Sequence, residues 1–259
     1  MTLMYTKANI DEMAAEYRTV AGKYDALIAA LQGWTYRTPR AEEFAFHGFG
    51  RRLAVLKECI EIVFEAIPLD LDGIPTARER QLSTIALQAF LINLFGCADN
   101  LAHIWVEERN VHLPNGKPLP DSRIGMGGHY NIVRESFSPG FRAYLDSRSD
   151  WISEMERFRH ALAHRIPPYI TPYAVDPKNQ RAYAALGPQI TVAIRRQDFD
   201  GVKKLEDAQR ALTFFRPWLT HSFEENAPLL VIHPQMLADF NTVDEMARTM
   251  LDELNHLGP

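Results

Sequence analysis

Thr76-x-x-Glu79 has the form of a capping box, in which a threonine and a glutamate each satisfy the other's backbone N–H, and the helical pattern it opens runs to about Asn110. No other predicted helix is as long. Its most apolar run, Ile85 to Ala98, covers about 14 residues and is too short to span a bilayer. A helix this apolar has to be buried, so the chain must pack other helices around it. One polar stripe interrupts the apolar surface: Asn93, Gly96, Asn100, His103 and Glu107 recur at alternating spacings of three and four, and Asp99 and His103 form an i, i+4 pair. Polar groups in such a helix need partners.

Helical signals continue on both sides. Asn9-x-x-Glu12 predicts a first helix to about Gln32, and Thr38-Pro39, an N-cap followed by proline at the first helical position, predicts a second to about Ala66. Pro114-Asn115-Gly116 and Gly125-Met126-Gly127-Gly128 punctuate a long loop, the second reading as a flexible turn; Gly48-Phe49-Gly50 reads as a close helix contact or kink. Short helices are expected near 131–137 and 141–146. Asp150 then caps a helix whose apolar stripe is Trp151, Met155, Phe158 and Leu162, and Pro167-Pro168 ends it. Residues 167–188 are rich in proline and tyrosine and show no period, Ile190 to Ile194 predicts one short strand, and helix resumes from Val202 to Asn226 with a break at Pro217. A last helix is expected from the capping box Thr242-x-x-Glu245 to near His256. The fold class is therefore all-α, a helical bundle in a single domain over 1–259, with a proline-rich insertion and additional C-terminal helices.

Charge and cysteine content narrow the function. With 28 basic and 33 acidic residues the net charge is -5, so no global basic field draws the chain to nucleic acid, and any RNA contact must come from a local patch or an assembled dimer. Cys59 and Cys97 lie in apolar helical context, which suits reduced core thiols, although spacing alone leaves a disulfide between them open. The start of the chain, Met1 to Lys7, lacks the charged-then-apolar pattern of a secretion signal, and a cytoplasmic protein that does not enter the membrane is expected.

The chemistry-bearing segment is Glu156-Arg-Phe-Arg159-His160-Ala-Leu-Ala-His164-Arg165. Helix residues step by about 100°, so Arg159, His160 and His164 share an arc of roughly 140°. Cleaving RNA without a metal needs a base for the 2′-hydroxyl proton, an acid for the leaving 5′-oxygen and a cation for the phosphorane. Histidine titrates near neutrality and serves for either proton, while arginine forks two donors onto phosphate oxygens. The same residues also suit the negative end of a helix dipole with no chemistry at all, Arg157 and Arg165 especially. His160 and His164 at i, i+4 offer two metal ligands as well, with His103 or Asp99 as a third, but position 161 is alanine where the H-E-x-x-H pattern has glutamate.

With four residues from Arg159 to His164 and His160 in the polar slot after the arginine, the segment resembles the HEPN superfamily of helical toxins and RNA-processing enzymes. The resemblance covers about residues 76–226, with the helices of 9–66 packing on that core and 227–259 as a C-terminal extension. It implies a homodimer acting on RNA as a metal-independent endoribonuclease, with no cofactor and no metal, in defence or stress response, with any regulatory partner unspecified. In the roles it implies, Arg159 stabilises the transition state, His164 transfers the proton, and His160 orients or shares it. Asp99, with Asn100 and His103 beside it, would support Arg159 from the long helix; the same stripe reads equally as a buried hydrogen-bonded network. Arg157 and Arg165 are candidate RNA contacts, and Tyr169 a candidate stacking residue. Ile166 stands where the toxin branch has tyrosine, a departure from that branch. The alternative the resemblance carries is a non-catalytic dimerisation or nucleotide- or RNA-binding module.

Overall fold

The computed structural model describes residues 4–222, 224 and 227–257, and they are mostly helical, as an all-α chain should be. The first expected helix is two, α1 (Lys7–Tyr17) and α2 (Val20–Gly33), and its cap is Thr6, which accepts from the Asn9 N–H at 3.2 Å. The break follows from Thr19, whose hydroxyl donates to the Glu16 carbonyl at 2.7 Å and competes with the helical ladder. Thr38 caps α3 (Pro39–Glu43) as expected, but a π-helical segment, Phe44–Gly50, separates it from α4 (Arg51–Ala66). The capping box Thr76/Glu79 forms in full and starts α5 (Ala77–Arg109), which ends at Asn110 in left-handed conformation.

Beyond a long loop come α6 (Asn131–Glu135), α7 (Pro139–Ser147) and α8 (Ser149–His164). The proline-rich segment supplies short strands: β1 (Tyr169–Ile170), β4 (Trp218–Thr220) and β5 (Leu230–Val231) make one antiparallel sheet in the order β1-β4-β5, and β2 (Ala174–Val175) pairs with β3 (Thr213–Phe214). The strand expected at 190–194 is helix instead, the end of α9 (Gln180–Arg195), which packs on α10 (Phe199–Arg210) as a helical hairpin. Ile190 and Ala193 are the less exposed positions of this stretch, at a helical spacing of three that overrides the β-branched composition. The helix expected to reach Asn226 stops at Arg210, and Asn226 lies outside the described residues. The last helix, α11 (Ile232–Leu257), begins before its expected box; Thr242 sits inside it with its hydroxyl on the Ala238 carbonyl. Burial explains the earlier start, because Met236, Leu237 and Phe240 extend the core-facing stripe of Val243, Ala247 and Met250.

Helix α5 is the centre, with α3, α4, α8, α11 and the π-helical segment all packed on it. It is long and apolar enough by composition to cross a membrane, yet 56% of its apolar window is buried inside the protein, the condition of a core helix. Leu87, Phe90, Leu94, Leu101 and Trp105 share one buried cluster with Leu53, Leu56 and Ile60 of α4 and Phe240 of α11. Cys59 and Cys97 are free thiols, and burial raises the pKa of both.

The polar stripe of α5 finds its partner on α4. Arg52 donates from Nε to Asn100 Oδ1 at 3.0 Å and from Nη1 to Asn93 Oδ1 at 3.2 Å. Gly96 makes room for it, since a Cβ there would stand 2.5 Å from the guanidinium, and Gly48 does the same for the Asn100 amide at 2.8 Å. Replacing Arg52 by alanine strips both amides of their donor in the α4–α5 seam. The expected cost is about 1–3 kcal/mol, read as a lowered urea midpoint at unchanged m; a midpoint equal to wild type would show that the clasp contributes nothing.

Candidate active site: an arginine-lined cleft on the motif helix

Helix α8 buries Ile152, Met155, Phe158 and Ala161 and turns Arg159, His160 and His164 to solvent. Its first turn carries Asp150, but the N-cap is Arg148 and makes no side-chain cap bond, so Asp150 is not the cap. Position along the bundle comes instead from Trp151, whose Nε1 donates to Asp239 Oδ1 on α11 at 2.8 Å. Burial pushes the Asp239 carboxyl up to about 6 against that bond and a second one from Gln235.

An open cleft of about 910 Å³ lies along the outer face of α8. It is lined by Ser153, Glu156, Arg157, Arg159 and His160 of α8 together with Phe95 of α5, His129, Tyr130, Arg165 and His221. The Arg159 guanidinium lies over the Phe95 ring at 4.8 Å, and among the described residues it has no ion pair within 4 Å. Arg157 is paired with Glu154 at 3.2 Å. The lining carries Arg157, Arg159 and Arg165 with Glu156, and Arg157 is compensated by Glu154. Arg159 is the exposed cation that keeps its fork of donors for an anion.

Asp99 sits one helical turn beyond Phe95. Burial raises its carboxyl to about 6; Arg159 and then Arg52 pull it back, and Glu156 adds to the rise. Tyr130 feels the same neighbours: burial raises its phenol first, Asp99 and Glu156 raise it further, and Arg159 opposes them. Asp99, Tyr130, Glu156 and Arg159 therefore form one electrostatic group.

The sequence-derived candidates divide. Arg159, His160, Arg157 and Arg165 line the cleft, and Asp99 interacts with Arg159 across the α5–α8 contact. His164 is exposed one turn further on, its ring 5.3 Å from that of His160, and is not part of the lining. Asn100 turns to Arg52, and His103 stacks on Phe44 with rings 4.3 Å apart, its pKa lowered by burial. Arg52, not Arg159, is thus the partner of the amide stripe. Tyr169 is in β1, paired with Thr220. Among the described residues no three His, Cys, Asp or Glu side chains converge as metal ligands would.

Phe95, His129, Tyr130 and Glu156 were not candidates from sequence. Glu156 and Phe95 had a readable signal, each being one turn before a candidate, Arg159 and Asp99 respectively. His129 and Tyr130 had none, because the loop that carries them is placed by tertiary packing. The glycine segment beside them is not a flexible turn but packed: Gly125, Met126 and Gly127 are buried.

Comparison with known proteins finds no match, neither a family model, nor a curated protein, nor a solved structure. The cleft's function has to be argued from its own chemistry. A carboxyl whose native pKa stands near 6, above the unfolded value of about 3.9, holds its proton more readily when folded. Its contribution is therefore most favourable at low pH and is lost as pH rises through 6. Asp99→Asn removes that penalty and should stabilise the fold by up to about 3 kcal/mol at neutral pH and much less at about pH 4. Thermal melts of both proteins across this range test it; a destabilised variant at neutral pH would mean that the charged carboxylate is structurally needed.

Proposed function

We propose that the chain is a HEPN-type endoribonuclease that cleaves RNA without a metal, through attack of a 2′-hydroxyl on the adjacent phosphate. The observation that carries this reading is the pair Arg159 and His160, which stand open to solvent beside one another in the same cleft. A module that only dimerises has no need to leave both exposed, and one that only binds phosphate needs the arginine but not a titratable imidazole beside it. Arg159 forks its N–H donors onto the non-bridging oxygens and stabilises the charge that grows on the phosphorane. Asp99 acts on Arg159 electrostatically from α5. His160 takes the 2′-hydroxyl proton, and His164, 5.3 Å away ring to ring, returns one to the 5′-oxygen as the P–O5′ bond breaks. The products are a 2′,3′-cyclic phosphate and a free 5′-hydroxyl, so atoms and protons balance with no further reactant.

The same reading brings in a second copy of the chain. Exposed apolar side chains at Leu82, Ile85 and Ile92 follow helical spacing along the outer face of α5, and Phe95 continues that row to the cleft. A homodimer joined there would set two clefts close together.

Incubating the purified protein with a labelled RNA pool in EDTA tests the enzyme directly. Cyclic-phosphate ends are expected from wild type, with cleavage reduced about 100-fold or more by Arg159→Ala and by His160→Ala. Cleavage that survives Arg159→Ala would remove this site, and cleavage abolished by EDTA would replace the mechanism with a metal-dependent one. Sedimentation of wild type against Ile85→Glu should show a dimer turning to monomer; a monomeric wild type would sink the two-copy arrangement.

A further inference from the structure

On the far side of His129 and Tyr130 lies a second cavity of about 240 Å³, lined by those two residues with Ser122, Arg123, Asn131 and Ile132. The two aromatic side chains are thus a partition shared by both cavities. Their rings are 4.0 Å apart at 38°, and Tyr130 is only part-buried while His129 is exposed. The partition is also firmly built. The Tyr130 ring lies so close on Gly125 that a Cβ there would come within 2.3 Å of it, and a Cβ at Gly127 would touch both the His129 ring and the Glu156 carboxylate. Arg134 anchors the loop by donating to the Met126 carbonyl at 3.0 Å, and is itself paired with Asp146 of α7. A glycine-rich loop held this tightly, presenting two adjoining rings between two cavities with an arginine in each, matches what a single strand needs: π faces for a base and cations at intervals for the backbone.

We propose that single-stranded RNA runs across both cavities, with one base stacked on the His129–Tyr130 pair and a backbone phosphate beyond it held by Arg123. This rests on RNA being the ligand of the Arg159 cleft and adds where the strand continues. The stacking role falls to Tyr130 and His129, which line both cavities, whereas Tyr169 in β1 lines neither.

The test is binding of a fluorescent, non-cleavable 2′-O-methyl 12-mer by anisotropy, beside cleavage of the matching RNA and of a dinucleoside monophosphate. Tyr130→Ala should weaken 12-mer binding about tenfold or more, while Tyr130→Phe, which keeps the ring, binds as wild type does. Arg123→Ala should weaken the 12-mer, lower the salt dependence of its binding by about one unit of slope, and reduce cleavage of the long RNA more than that of the dinucleotide. Arg123 is exposed, so this variant reports on contact without disturbing the fold. Binding of the 12-mer unaffected by Tyr130→Ala and Arg123→Ala overturns the strand path even if cleavage is intact. Displacement of the 12-mer by a free mononucleotide as readily as by unlabelled 12-mer also overturns it, in favour of a nucleotide pocket, as does no binding at all. Conversely, the expected binding losses with no cleavage by wild type would retain the strand path and remove the nuclease.

Discussion

The clasp of Arg52 between Asn93 and Asn100 sets how closely α4 approaches α5, and the rest of the bundle is arranged around that pair. An apolar seam alone fixes separation poorly, because slipping one turn exchanges one leucine for another. Two directional bonds, with glycines at 48 and 96 where any Cβ would collide, admit a single register. With that pair held, α8 packs on α5, and α11 packs on both α4 and α5.

That division of α5 also accounts for the cleft. The face that carries Asn93, Gly96 and Asn100 is taken by α4, and the positions next to it, Phe95 and Asp99, come to lie beneath α8 and Arg159. Asp99 is the strained member of the group. Its carboxyl is desolvated and its charge is opposed by Glu156, so it is kept near 6 only because Arg159 and Arg52 offset part of the burial. Asp99 itself is not part of the cleft lining; its charge acts on Arg159 from the buried side of the α5–α8 contact. Asp239, equally raised, lies instead under a tryptophan and a glutamine that bind it into the core, and its place in the structure is to anchor α8.

Helices whose boundaries rest on local chemistry were legible. The capping box at Thr76 and the N-cap threonine with proline at 39 act within a few residues, whereas α7, expected from 141, starts at Pro139 with Ser138 as its cap. The misreadings share a different cause. Thr242-x-x-Glu245 satisfies the capping pattern but sits mid-helix, because the apolar stripe before it is buried by neighbours distant in sequence. Ile190 to Ile194 has strand composition, yet α10 offers it a helical partner. In the site, Arg159 and His160 could be read from spacing on one helix, and Glu156 and Phe95 from the turn before a known candidate. His103 shares the stripe of Asn100 but is taken up by Phe44.

By itself the sequence determined that this chain is helical, that α5 is its buried centre, and which helix carries the arginine and histidines, since caps and periodicity are properties of neighbouring residues. Only the tertiary structure decided which arginine answers the amide stripe, that His129 and Tyr130 stand opposite Arg159, and that His160 and not His164 faces the cleft. Those depend on where α4, α8 and the glycine loop are fixed relative to α5, and such placement comes from contacts between residues far apart in the chain.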